Sequence, residues 1–185
     1  MERAAEQHGF LGVDDARELG IDPGYLRKMA AVGKLEHRWR GVYRLRAIPV
    51  TARDEFHEAV FWAGHGAVIA GEAALALWDL ADVNPRQIEV AAGDGRPARR
   101  AQDNPRVRVL KFRVGRDEID EVDNIPVVTA RTAIAQTIRG GTDPGLIHQA
   151  IAAARGRQLI GETSAARLLV ALDDRERTGK TGKVA

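Results

Sequence analysis

The sequence predicts an α+β protein, and three observations carry that prediction. The first fifty residues place helical segments before a pair of short strand-like runs. The rest of the chain sets three further strand-like runs among longer helical stretches. Gly, Asp and Pro fall where the periodic segments should start and stop. A chain of 185 residues, 44% hydrophobic and 29% charged, has the size and apolar content for one medium domain or two small ones. We read an N-terminal domain over 1–48, a second domain over 49–175 and a flexible tail over 176–185.

In the first domain, Glu2 to His8 suits a short helix and "GFLG" reads as a break. Val13, Ala16 and Leu19 recur at helical spacing, with Asp14 and Asp15 in the first turn and Gly20 at the end. In "IDPG", Asp22 is a helix cap and Pro23 suits the first helical position. The next helix runs through "GYLRKMAAV" to Gly33. It puts Leu26, Met29 and Ala30 on one face, Gly24, Arg27, Lys28 and Ala31 on the other, and Tyr25 at the edge. Leu35 to Trp39 and Val42 to Leu45 then form a hairpin about Arg40-Gly41. Helix, helix, turn, helix and hairpin is the order of a winged helix-turn-helix, in which the third helix enters the major groove and the hairpin contacts the backbone or minor groove.

Charge follows the same order. Between Arg27 and Arg46 the cations are Arg27, Lys28, Lys34, Arg38, Arg40, Arg44 and Arg46, against Glu36 alone. Met1 to Asp22 is acidic, so the total of +2 conceals a concentration of positive charge on the third helix and hairpin. The DNA-contact candidates are therefore Tyr25, Arg27, Lys28, Lys34, Arg38, Arg40, Arg44 and Arg46. The alternative is a solvated basic hairpin with no ligand.

"IPVTAR" from Ile48 reads as a linker, with Thr51 a cap for the following helix. Phe56, Ala59, Val60 and Ala63 share a helical face, and a second helix spans about Ala70 to Leu80. The apolar stretch Ala59 to Leu77 is interrupted by His65 and Glu72 and rich in Ala, so it reads as two buried helices rather than a membrane span. Strand-like runs follow at Gln87 to Ala92, Val107 to Val114 and Ile125 to Val128. Thr129, Asp143-Pro144 and Thr163 or Ser164 open three closing helices, and "RERTGKTGKVA" reads as frayed. The predicted second domain is mixed α/β with a small sheet and several helices.

This domain carries its own basic run from Arg96, Arg99 and Arg100 to Arg116. A phase shift at Leu110 predicts a bulge near Val109-Leu110, with Val107, Val109, Leu110, Phe112 and Val114 buried. Arg106, Arg108, Lys111 and Arg113 would then share one face. That face is either a second DNA-contact or partner-docking surface, or a solvated strand beside the acidic segment Asp117 to Asp123.

The pattern "GFLGVDDARELGIDPGYLRKMAAVGKLEHRWRGVYRL" resembles the N-terminal domain of AbiEi-family antitoxins. The resemblance rests on Gly20-Ile21, Gly33-Lys34-Leu35 and Arg40-Gly41-Val42-Tyr43 in that order and spacing. "EAALALWDLADVNPRQIEV", "NIPVVTARTAIAQTI" and "RGRQLIGETSAARLL" resemble the family's C-terminal region, with departures at Trp78 and in the loop Gly93 to Gln102. The resemblance implies an antitoxin that binds double-stranded operator DNA, represses its own operon and counters a nucleotidyltransferase toxin, directly or through a shared target. It is compatible with a cooperative multimer on DNA. The competing expectation is a winged-helix repressor whose second domain senses a ligand or oligomerises.

Enzyme patterns fail. Gly179-Lys180-Thr181 has Asp174 where a phosphate loop needs Gly. His8, His37, His57, His65 and His148 lack metal-ligand spacing. Glu89 and Asp94 lack the nearby Lys and second acidic strand of a nuclease site. We therefore expect no catalytic, cofactor-binding or metal-binding residues. With no Cys, no apolar signal core and no membrane span, a cytoplasmic location is expected.

Overall fold

The structure is a computed structural model that describes residues 2–64, 66–92 and 104–181. Its first unit contains α1 (Glu2–Glu6), β1 (Phe10–Gly12), α2 (Val13–Glu18), α3 (Pro23–Ala31), β2 (Leu35–Trp39) and β3 (Val42–Leu45). The three strands form an antiparallel sheet in the order β1-β3-β2. Thus "GFLG", read as a break, contains a strand. Three residues are too few to display alternation, and β1 exists because Phe10 and Gly12 pair with Arg44 and Val42. Leu19 also departs from its expected core position. It lies just past α2 and is 54% exposed.

Local chemistry sets the helix ends. The Gly12 N–H donates to the Asp15 carboxylate at 2.6 Å, which anchors the start of α2. The Asp22 carboxylate accepts from the Gly24 N–H at 2.9 Å, and Pro23 occupies the first turn of α3. Gly33, at φ 77°, reverses the chain into β2. Ala4, Ala16, Leu26, Leu35, Tyr43 and Leu45 form the small core, with Met29 and Ala30 packed against it.

The second unit begins with α4 (Asp54–Ala63), β4 (Ala67–Ile69) and α5 (Gly71–Leu77). β5 (Ile88–Ala92), β6 (Val107–Arg113), β7 (Ile119–Val122) and β8 (Ile125–Val128) follow, then α6 (Ala130–Gly140), α7 (Pro144–Gly156) and α8 (Glu162–Thr181). The five-stranded sheet has the order β6-β5-β4-β8-β7, with β5/β6 and β4/β8 parallel. The apolar stretch read as two helices therefore contains a strand between them. β4 is the central strand and is buried throughout, so it has no polar alternation to betray it. The acidic segment likewise contains β7, an outer strand with exposed carboxylates.

The expected irregularity in β6 is present as a register shift between the pairs Val90–Val109 and Ala92–Arg113. Phe112, expected inside, is 40% exposed because it falls in that irregular stretch of the outer strand. The helix α8 starts at Glu162 and continues to Thr181, through the segment read as frayed. Arg175 donates to the Ile138 carbonyl at 3.0 Å and so ties that part of α8 to α6. At the start of α5, Gly71 has φ 58°, and a Cβ there would lie 1.8 Å from Glu89 Oε2. Only Gly fits this turn.

The helix α4 joins the units. By alternation β3 turns Tyr43 and Leu45 toward the first core and Val42 and Arg44 toward the opposite face of the sheet. That face is covered, since α4 packs on β1 and β3. "IPVTAR" is consequently tied down rather than free. Arg44 donates to the Pro49 carbonyl at 2.9 Å, and the Thr51 N–H and hydroxyl both donate to Asp54. Arg53, not Thr51, occupies the N-cap position of α4, and it makes no side-chain capping bond. Two further contacts, Asn124 Nδ2 to the Glu6 carbonyl at 3.0 Å and Arg53 to Asp123 at 3.0 Å, fasten the β7–β8 turn at the same junction.

Candidate nucleic-acid interface

Helix α3 buries Leu26 and half-buries Met29 and Ala30, which turns Arg27 and Lys28 to solvent. Tyr25 is 50% exposed at the start of the helix. Ile21, just before α3, and Val32, just after it, are 39% and 68% exposed. This apolar exposure around the helix was not expected from the sequence. It follows from their position in the turns at either end, outside the helical face that meets the core.

At the root of the wing, Lys34 and Arg46 are exposed, and the Arg46 N–H donates to the Lys34 carbonyl at 3.4 Å. This backbone contact holds the two cations side by side. Arg40 is exposed at the hairpin turn, where Gly41 has φ 80°. The Gly41 carbonyl accepts from the Val13 N–H at 3.0 Å, which fixes the turn relative to α2.

Two further wing arginines make ion pairs. Arg38 is exposed but pairs with Glu36 and Glu58, both at 2.8 Å, and Trp39 Nε1 also donates to Glu58. The hydrogen bond from Arg38 holds the Glu36 carboxyl below its ordinary range, against a small opposing effect of burial, and the charges of Arg38, Arg46 and Arg44 add to it. Arg44 was expected on the wing surface, and the structure corrects this. It is 5% exposed and donates to Asp54 at 2.7 Å. Its side chain meets α4 rather than solvent. Burial tends to raise the Asp54 pKa, but the hydrogen bonds from Thr51 and the charge of Arg44 outweigh it and hold the carboxyl low.

The second basic run is divided as well. Arg106 and Lys111 are exposed, while Arg108 pairs with Glu89 at 3.2 Å. Arg113 lines the cleft between the units. Arg96, Arg99 and Arg100 lie outside the described residues, as do Asp94 and His65. Glu89 serves the fold: it accepts from the Glu72 N–H at 2.9 Å as well as from Arg108. Among the described residues, no group of three or more His, Asp or Glu side chains could hold a metal ion. Among them also, no helix is long and apolar enough to cross a membrane.

Sequence reasoning missed one pair, His8 and His57, whose rings lie 4.3 Å apart although they are far apart in the chain. His57 is 3% exposed. Burial, aided by the charge of His8 and opposed by Asp54 and Asp123, lowers its pKa to about 4.

Three comparisons place these features. Residues 1–46 match the family described as "Transcriptional regulator, AbiEi antitoxin". No curated protein matches the chain. A solved structure, titled "Crystal structure of RV2827C protein from Mycobacterium tuberculosis", is similar at 14% identity and a TM-score of 0.45. That similarity covers 90% of this chain and 72% of the other. The AbiEi resemblance read from the sequence is thus borne out over residues 1–46.

Proposed function

We propose that this chain is a DNA-binding antitoxin that represses its own operon and counters a nucleotidyltransferase toxin. The observation that carries the DNA reading is the exposed face of α3 within a segment of AbiEi type. Arg27 and Lys28 project from that face, with Tyr25 at its start. A helix presented this way reads base edges in the major groove. Lys34, Arg40 and Arg46 flank it on the wing and meet phosphates, which gives salt-dependent affinity. Arg38 and Arg44 instead hold the wing on α4, so the wing reaches DNA in a fixed orientation. The nucleotidyltransferase follows from the family resemblance, and the second unit is the part left to act against it.

The test has two arms. Gel-shift titrations with the DNA upstream of the gene should show specific, salt-sensitive binding that Arg27→Ala weakens. Co-expression with a neighbouring nucleotidyltransferase gene should restore growth. Specific DNA binding without growth rescue would favour a repressor that is not an antitoxin. Absence of salt-sensitive binding would refute the DNA reading.

A further inference from the structure

The two units enclose a cleft of about 890 Å³, a volume within the usual range for small-molecule sites. α2 with Gly12, the last residue of β1, forms one wall. The other comes from α4, β4 and the segment from Arg113 to Ile119. The charges in the cleft are unequal in a particular way. Its three carboxylates share two cations: Asp14 pairs with Arg17 at 2.7 Å, and Arg3 lies 3.4 Å from Asp15 and 3.5 Å from Glu18. Asp15 further accepts from Gln7 and the Gly12 N–H. Arg113 and Arg116 are exposed on the opposite wall and make no ion pair among the described residues. Arg3, Arg17, Arg113 and Arg116 together outnumber Asp14, Asp15 and Glu18, so the balance in and beside the cleft is positive, and it lies on the Arg113–Arg116 wall.

Two rings complete the lining. Phe61 is half-buried and stacks on Phe10 at 5.9 Å, leaving the rest of its surface to the cleft. His57 also lines the cleft, and its buried Nε2 makes no hydrogen bond among the described residues. Two free guanidiniums suit the oxygens of a phosphate, since each presents a planar fork of donors. An aromatic wall suits a planar ring.

We propose that this cleft binds a phosphorylated small molecule carrying a planar ring, of the chemical class of a nucleoside monophosphate. Arg113 and Arg116 hold the phosphate, and Phe61 supports the ring. Such a ligand bridges the winged unit and the second unit. It touches α2, which packs on α3, so binding biases how the α3 face is presented. Ligand binding itself is independent of the DNA reading above. Only its effect on DNA affinity rests on that reading.

The test is calorimetric titration of the full chain with AMP, GMP, CMP and UMP, with the unphosphorylated nucleosides and inorganic phosphate as separate arms. At least one monophosphate should bind saturably at one site per chain, more tightly than its nucleoside or phosphate alone. Arg113→Ala/Arg116→Ala changes only exposed side chains and should weaken that binding by at least about tenfold, the effect of losing charged hydrogen bonds. Val13→Trp, which fills the cleft wall, should abolish it. No saturable binding of any monophosphate at millimolar concentration would overturn the proposal. So would equal binding by the wild type and the double Arg variant. Loss of DNA affinity in the double variant, with no nucleotide bound by the wild type, would assign these arginines to DNA instead.

Discussion

The two units bury their sheets differently. In the second unit, the five-stranded sheet and its helices share a large apolar core that runs from Phe56 to Leu172. In the winged unit, α1, α2 and α3 cover one face of a three-stranded sheet, and the other face is closed by α4 from outside the unit. The contact on that second face is ionic as well as apolar. Arg44 and Asp54 meet there, beside Phe10. The contrast shows why a basic residue on a wing hairpin need not face solvent. A charge that alternation assigns to the outside becomes internal when another element covers that side.

The comparison is tested most severely by Arg44→Ala. It leaves Asp54 buried without its cation and should cost about 3–5 kcal/mol in urea unfolding. A loss below about 1 kcal/mol would show that α4 does not close the sheet.

The pH dependence of stability probes the same junction through His57. Its folded pKa lies below its unfolded value, so above about pH 6.5 both states are neutral and nothing is lost. As pH falls from 6.5 to about 4, the unfolded chain gains a proton that the folded chain refuses. Stability should drop by up to about 3 kcal/mol over that window and then level off for this group. Asp54 adds its own loss only as pH falls through its depressed carboxylate range. A His57→Leu variant should lack the loss between pH 6.5 and 4, which unfolding curves at several pH values would reveal.

The exposed face of α3 should behave in the opposite manner. Arg27→Ala should leave the unfolding midpoint nearly unchanged while costing about 1–3 kcal/mol in operator binding, with relaxed sequence preference. The smallest effect belongs to Arg38→Ala. Its partners Glu36 and Glu58 are near the surface, and the stability loss should be no more than about 1 kcal/mol by the same unfolding assay.

The features legible in the sequence were those fixed by near neighbours in the chain. Asp22-Pro23, Asp143-Pro144 and Thr129 cap helices because the bonds they make span two or three residues. The face of α3 follows from its own periodicity, which is why Leu26 is buried and Arg27 is not. What stayed hidden depended on distant partners. β1 is defined by pairing with β3, and β4 lies between β5 and β8. Arg44 looked like its exposed neighbours because nothing adjacent to it announces Asp54 or the packing of α4. The cleft was illegible for the same reason. Arg113 and His57 belong to separate local patterns, and only the fold lines one space with both.

The margins of the five-stranded sheet have a consequence for self-association. Outer strands are templates for unwanted pairing with other chains. At β7 the margin carries Asp120 and Glu121, and the Glu121 amide is occupied by the Asp120 carboxylate at 2.8 Å. At the far side, β6 carries Lys111 and Arg113, with Arg106 immediately before it. Two copies approaching through like margins bring like charges to the spacing of neighbouring strands, where repulsion opposes fusion of the sheets. Pairing through like margins is thus opposed more strongly than a total charge of +2 suggests, because the charges are placed on the margins themselves.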